Sequence, residues 1–163
     1  MMSESQFLED RKQAFIDYLR ALKRLKELGI INNKKDFTSQ LGEWLVSELY
    51  QGKLAVSGKQ KDWDLQIGEK NIQVKTHSKS KTTSRSNTDF KYSDDADIDI
   101  LIIIVFDEEY KLKNIFEIPW ETAKILKSKN TKDVVIRWKE IPESCRIDLN
   151  QKFPNNDLLK SFL

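Results

Sequence analysis

Apolar residues fall three and four apart through the first part of the chain. Phe7, Phe15, Tyr18, Leu19, Leu22, Leu25 and Leu28 share one face of a helix predicted over Glu4 to Leu28, with Ser3 or Ser5 as its cap and Gly29 as its end. A polar turn at Asn32 to Lys35 follows. A second helix, capped near Asp36 or Thr38, carries Leu41, Trp44, Leu45 and Leu49 to about Gln51, where Gly52 stops it. The period then changes to two. Leu54-Ala55-Val56 is a short strand. Trp63, Leu65 and Ile67 alternate with Asp62, Asp64 and Gln66, Gly68 to Asn71 reads as a hairpin turn, and Ile72, Val74 and Thr76 alternate with Gln73, Lys75 and His77. Residues two apart share a strand face, so Gln73 and Lys75 point one way and Ile72 and Val74 the other.

Ser78 to Ser93 has little to bury and reads as a loop. Ile98 to Phe106 is an unbroken, β-branched apolar run, the pattern of a central strand covered on both faces. Lys113 to Ile118 is expected to pair with it through a turn at Asp107 to Lys111. Pro119 then opens a helix over Trp120 to Lys127, Val134 to Ile136 forms one more strand, and Asn156 to Leu163 a short terminal helix. These elements predict a single α/β domain over 1–163, with a central mixed sheet flanked by helices. Its parts are a helical region at 4–51, a sheet-forming core at 53–137 and a tail at 138–163.

Composition narrows the setting. Cys145 is the only cysteine, which excludes an intramolecular disulfide and a multi-cysteine metal site and fits a reducing compartment. No signal peptide is legible and no apolar run is long enough for a bilayer, so a cytoplasmic protein is expected. The formal net charge of +2 says little about partners. Its distribution says more. Lys70, Lys75, Lys79, Lys81, Arg85 and Lys91 are interrupted only by Asp89, and this local basic strip points to a polyanion.

The candidate chemistry lies on the predicted hairpin. Asp64 on one strand and Gln73 and Lys75 on the next are brought close by the short turn. Carboxylate and amide oxygens suit magnesium, and a lysine beside them can stabilise charge on a phosphate. Asp62 shares a face with Asp64 and competes for the ligand role. On the second helix the wheel favours Glu48, which falls beside the apolar stripe; Glu43 lies off it.

Gly42-Glu43-Trp44-Leu45-Val46 on a helix, then Trp63-Asp64-Leu65, then Ile72-Gln73-Val74-Lys75 resembles the PD-(D/E)xK nuclease superfamily, which includes restriction endonucleases, Holliday-junction resolvases and RecB-like nucleases. The Gln-x-Lys form is similar to that of Mrr-like restriction nucleases. The resemblance covers about Asp36 to Phe106. It implies a restriction-endonuclease-like core and a metal-dependent DNA endonuclease using Mg2+, with Mn2+ as a substitute. It selects Glu43 over Glu48. Asp64 would be the central metal ligand, with Gln73 in the second position and the backbone carbonyl of Val74 completing the site. Lys75 would orient or deprotonate the attacking water, and Glu43 would reach the metal through water or polarise Lys75. His77, Lys79, Lys81 and Arg85 would contact DNA phosphates. Two departures stand out: Trp63 replaces the proline, and Gln73 replaces an acid, which removes one negative charge. A catalytically inactive nucleic-acid-binding module of the same fold, or an interaction subunit of a defence or repair complex, is the alternative. A homodimer is compatible with cutting both strands of a duplex, and sequence specificity would require loops or a partner protein.

Overall fold

The computed structural model describes residues 4–31, 36–56, 62–79, 85–128 and 134–163. Helix α1 spans Glu4–Glu27 and ends at Gly29, whose φ of +72° a residue with a side chain rarely adopts. Helix α2 spans Phe37–Tyr50. Asp36 caps it, accepting a hydrogen bond from the Ser39 amide, and the left-handed residue at its other end is Gln51, not Gly52. The turn expected at 32–35 lies outside the described residues.

Five strands form the main sheet in the order β1 (Lys53–Leu54), β2 (Leu65–Ile67), β3 (Lys70–Lys79), β5 (Ile100–Asp107) and β6 (Leu112–Pro119). The β3–β5 pair is parallel and the rest are antiparallel, so the sheet is mixed as expected. The sequence reading missed one strand. Asn87–Asp89, inside the stretch read as a loop, is β4, and it pairs antiparallel with β7 (Val135–Arg137) in a separate two-stranded sheet. Its three residues are polar, yet Thr88 is fully buried. A strand whose buried side chain is a threonine carries no apolar alternation to read.

The apolar run of β5 is explained by its place. Ile102, Ile104 and Phe106 face a layer made by α2 and the C-terminal segment, while Leu101, Ile103 and Val105 face helix α3 (Trp120–Ser128), Phe90 and β7. A strand buried on both faces has no polar side. The C-terminal segment packs closely on the body. After two 3-10 turns come the short helices α4 (Leu149–Lys152) and α5 (Asp157–Lys160); Leu159 is buried, and the Leu112 amide donates to the carbonyl of Phe162. Among the described residues, no helix is long and apolar enough to cross a membrane.

Candidate active site

The site forms where β3 outruns its neighbour. Strand β2 pairs only with Lys70 to Ile72, so beyond Ile72 that edge of β3 lacks a strand partner. Asp64 stands just before β2, its amide bonded to the Ile72 carbonyl. It thus faces Gln73 across the hairpin. Its Oδ2 accepts the Val74 amide at 2.9 Å, replacing the bond a continued ladder would supply. The same oxygen accepts Gln73 Nε2 at 2.6 Å, and that nitrogen also lies 3.3 Å from the Val74 carbonyl oxygen. Gln73 is 7% exposed, so these contacts satisfy an amide that would otherwise be costly to bury.

Helix α2 closes the other wall. A β-carbon placed on Gly42 would lie 1.8 Å from Thr76 Oγ1, so only glycine lets the helix come this near to β3. The Thr76 hydroxyl is buried there without a hydrogen-bond partner among the described residues. That approach brings the next residue, Glu43, to a cavity of about 350 Å³ lined also by Asp36, Ser39, Asp64, Gln73, Val74, Lys75 and Thr76. Glu43 is half-buried; Glu48, favoured by the helical wheel, is exposed. The wheel erred because the buried arc of α2 includes Gly42 and Val46, which shift its centre toward Glu43.

Lys75 also lines the cavity, with its Nζ 5.2 Å from the centroid of the Tyr92 ring. Tyr92 escaped the sequence reading. It packs edge-on against Phe90 and Trp120, which stack on each other. Burial first, and then the carboxylates of Asp64 and Asp62, push its phenol well above the ordinary range, so it stays protonated at neutral pH beside the acids of the hairpin. A lone aromatic in a polar loop gives no periodic signal, which is why the sequence did not reveal it.

The residues expected to touch phosphate are dispersed. The ten-residue β3 separates Lys70 from Lys79 by about 30 Å, so the basic strip is not one surface. Lys79 is exposed at the end of β3, and Arg85 pairs with Asp89 at 3.3 Å while donating to the Asn87 carbonyl. Lys81 lies outside the described residues. His77 is turned inward: its Nε2 lies 2.9 Å from Thr88 Oγ1, and its ring packs on Trp138. Trp138 Nε1 donates to the same hydroxyl, which leaves the Thr88 proton free to go to His77 Nε2 when that nitrogen is unprotonated. Burial, and then the positive charge of Arg85, lower the His77 pKa to about 4, against a small opposing effect of Asp89.

The donor set was tested against the implied metal. Among the described residues no three His, Cys, Asp or Glu side chains cluster as metal ligands. Besides Asp36, which caps α2, the lining offers the carboxylates of Asp64 and Glu43, the Gln73 amide and the Val74 backbone carbonyl, all hard oxygens once the Gln73 amide turns Oε1 inward. The Gln73 amide nitrogen now sits between Asp64 Oδ2 and the Val74 oxygen, a position where two oxygens converge on positive charge. The residues present therefore fit a magnesium-type cation. No protein-family model matches the chain, and no curated protein matches it.

Proposed function

We propose that this protein is a metal-dependent endonuclease that hydrolyses DNA phosphodiester bonds. The observation that carries the reading is convergence: Asp64, Gln73, Val74, Lys75 and Glu43, drawn from a helix, a strand and the residue just before a second strand, line one cavity. Asp64, Gln73, Val74 and Glu43 would hold Mg2+ or Mn2+, which when bound polarises water and the scissile phosphate. The remaining work falls to the chain. Lys75, held by the Tyr92 ring, supplies a fixed positive charge to the phosphoryl oxygens as negative charge builds on them. Glu43 lies on the opposite wall, where a carboxylate can orient the attacking water and take its proton. As the new phosphorus–oxygen bond forms, the bond to the leaving sugar oxygen breaks, and that oxygen takes a proton from solvent. Lys79 and Arg85 supply sequence-independent contacts to neighbouring phosphates.

One observation favours a second reading. Gln73 donates to both oxygens that a cation would need, so the site is satisfied by its own amide. A nucleic-acid-binding module that never loads metal would look like this. Cleavage of supercoiled, linear and branched DNA with Mg2+ and with Mn2+ separates the two. The nuclease reading expects metal-dependent cutting that falls at least about 100-fold in Asp64→Ala and in Lys75→Ala. Salt-sensitive DNA binding with no cutting under either metal would establish the binding module instead.

A further inference from the structure

Helix α1 is long, amphipathic and uncovered. Its 24 residues extend about 36 Å. Among the described residues, six of the ten exposed large apolar ones lie on it or directly after it: Phe7, Phe15, Ile16, Tyr18, Leu19 and Leu28, each 43–60% exposed. The other four are scattered over the body, as ordinary surface residues are. Among the described residues, neither hydrophobic cluster takes a side chain from α1. Along the helix Phe7, Phe15, Tyr18, Leu19, Leu22 and Leu25 fall on one arc of the wheel, with Ile16 on its flank and Gln13 on the far side. In proteins most of a helix's stability comes from packing of its amphipathic face.

The charges of α1 select what covers that face. Four cations, Arg20, Lys23, Arg24 and Lys26, crowd the C-terminal half against two acids, Asp17 and Glu27. By sequence, Glu4, Glu9 and Asp10 outnumber Arg11 and Lys12 in the N-terminal half. A parallel pair of such helices would stack cations on cations and align the two helix dipoles. An antiparallel pair sets the cationic half of each against the acidic half of the other and opposes the dipoles. It also brings Phe7 of one helix opposite Leu28 of the other. Pairing of the two stripes would remove roughly 1,200–1,600 Å² of surface in total, enough for a specific interface. We infer that α1 is a homodimerisation element that binds the α1 of a second copy in antiparallel orientation through the Phe15–Leu22 face. The inference is independent of the nuclease reading.

Sedimentation equilibrium of the full chain tests it. The expected mass at micromolar concentration is twice 19.2 kDa. Phe15→Glu should raise the dissociation constant at least ten-fold, whereas Gln13→Glu, on the opposite face, should leave it unchanged. Orientation is read by cross-linking in a Cys145→Ser background: Phe7→Cys mixed with Leu28→Cys forms a disulfide-linked dimer, and neither variant alone does so efficiently. A native protein that is monomeric at 100 µM overturns the proposal and assigns the face to a different partner. Efficient Phe7→Cys self-linkage, or equal weakening by Phe15→Glu and Gln13→Glu, overturns it as well.

Discussion

Asp64 Oδ2 accepts two N–H donors, and one of them is an amide where an acid would add a second negative charge. This arrangement makes the effect of Gln73→Glu depend on metal. Without a cation the new carboxylate would face Asp64 at hydrogen-bond distance, and like charges there should lower stability by about 1–3 kcal/mol. With Mn2+ the extra charge should tighten binding. Melting in chelator and in Mn2+ checks this: Gln73→Glu is expected to melt below the native protein in chelator and to gain more on Mn2+ addition. Equal melting shifts on Mn2+ addition would contradict a cation site at Gln73. Tyr92 supports the neighbouring charge. Tyr92→Phe keeps the ring over Lys75 and should retain near-native cutting. Tyr92→Leu removes a contact worth about 0.5–2 kcal/mol and should lower kcat about ten-fold. The Lys75 ε-proton resonances provide a second readout, shifted upfield by the ring in the native protein and in Tyr92→Phe but not in Tyr92→Leu. Unshifted Lys75 resonances in the native protein would remove Tyr92 from the site.

At the level of elements, α2 and β3 meet through Gly42 and Thr76, and that contact sets how close Glu43 comes to the cavity. Alanine at a helical position is ordinarily favoured over glycine by about 1 kcal/mol, so the sign of Gly42→Ala is diagnostic. Here it should destabilise by about 1–3 kcal/mol, because the new methyl group meets the Thr76 side chain. Thr76→Ala in the same chain should recover much of the loss, which urea unfolding of the single and double variants would reveal. A stabilised Gly42→Ala protein would mean that the helix stands farther from the strand. The same contact shows what the sequence could and could not convey. Strand β5 was legible because burial on both faces leaves an unbroken apolar run, and the hairpin at Gly68 because alternation and turn residues are local signals. The close approach at Gly42 was not legible, since a missing side chain adds nothing to a hydrophobic stripe. The resemblance pointed to Glu43 where the wheel pointed to Glu48. Strand β4 was missed because its buried member, Thr88, is held by hydrogen bonds to His77 and Trp138, and such partners are distant in sequence.

Across the whole molecule, those hydrogen bonds tie the two sheets together. His77 belongs to the five-stranded sheet and Thr88 to the two-stranded one, and Trp138 follows directly after β7. Burial favours the neutral imidazole in this link, the form in which Nε2 can accept the Thr88 proton. In the folded protein the pKa is lowered to about 4, whereas the unfolded chain has an ordinary value near 6.5. Between these values the unfolded state binds more protons than the folded one, so stability rises with pH across that window. The contribution is complete above about pH 6.5 and is lost as pH falls toward 4. Because the ring is only partly buried, solvent screening leaves an effect on the order of 1–2 kcal/mol. Carboxylates titrate in the same range, so the informative quantity is the difference between native protein and His77→Gln, which can accept the Thr88 proton but does not titrate. Unfolding free energies from pH 7.5 to 4 should show the native curve falling more steeply, with the gap widening below pH 6. Parallel curves would show that the histidine is solvated and available for phosphate. A steeper native curve would assign His77 to holding the two sheets together.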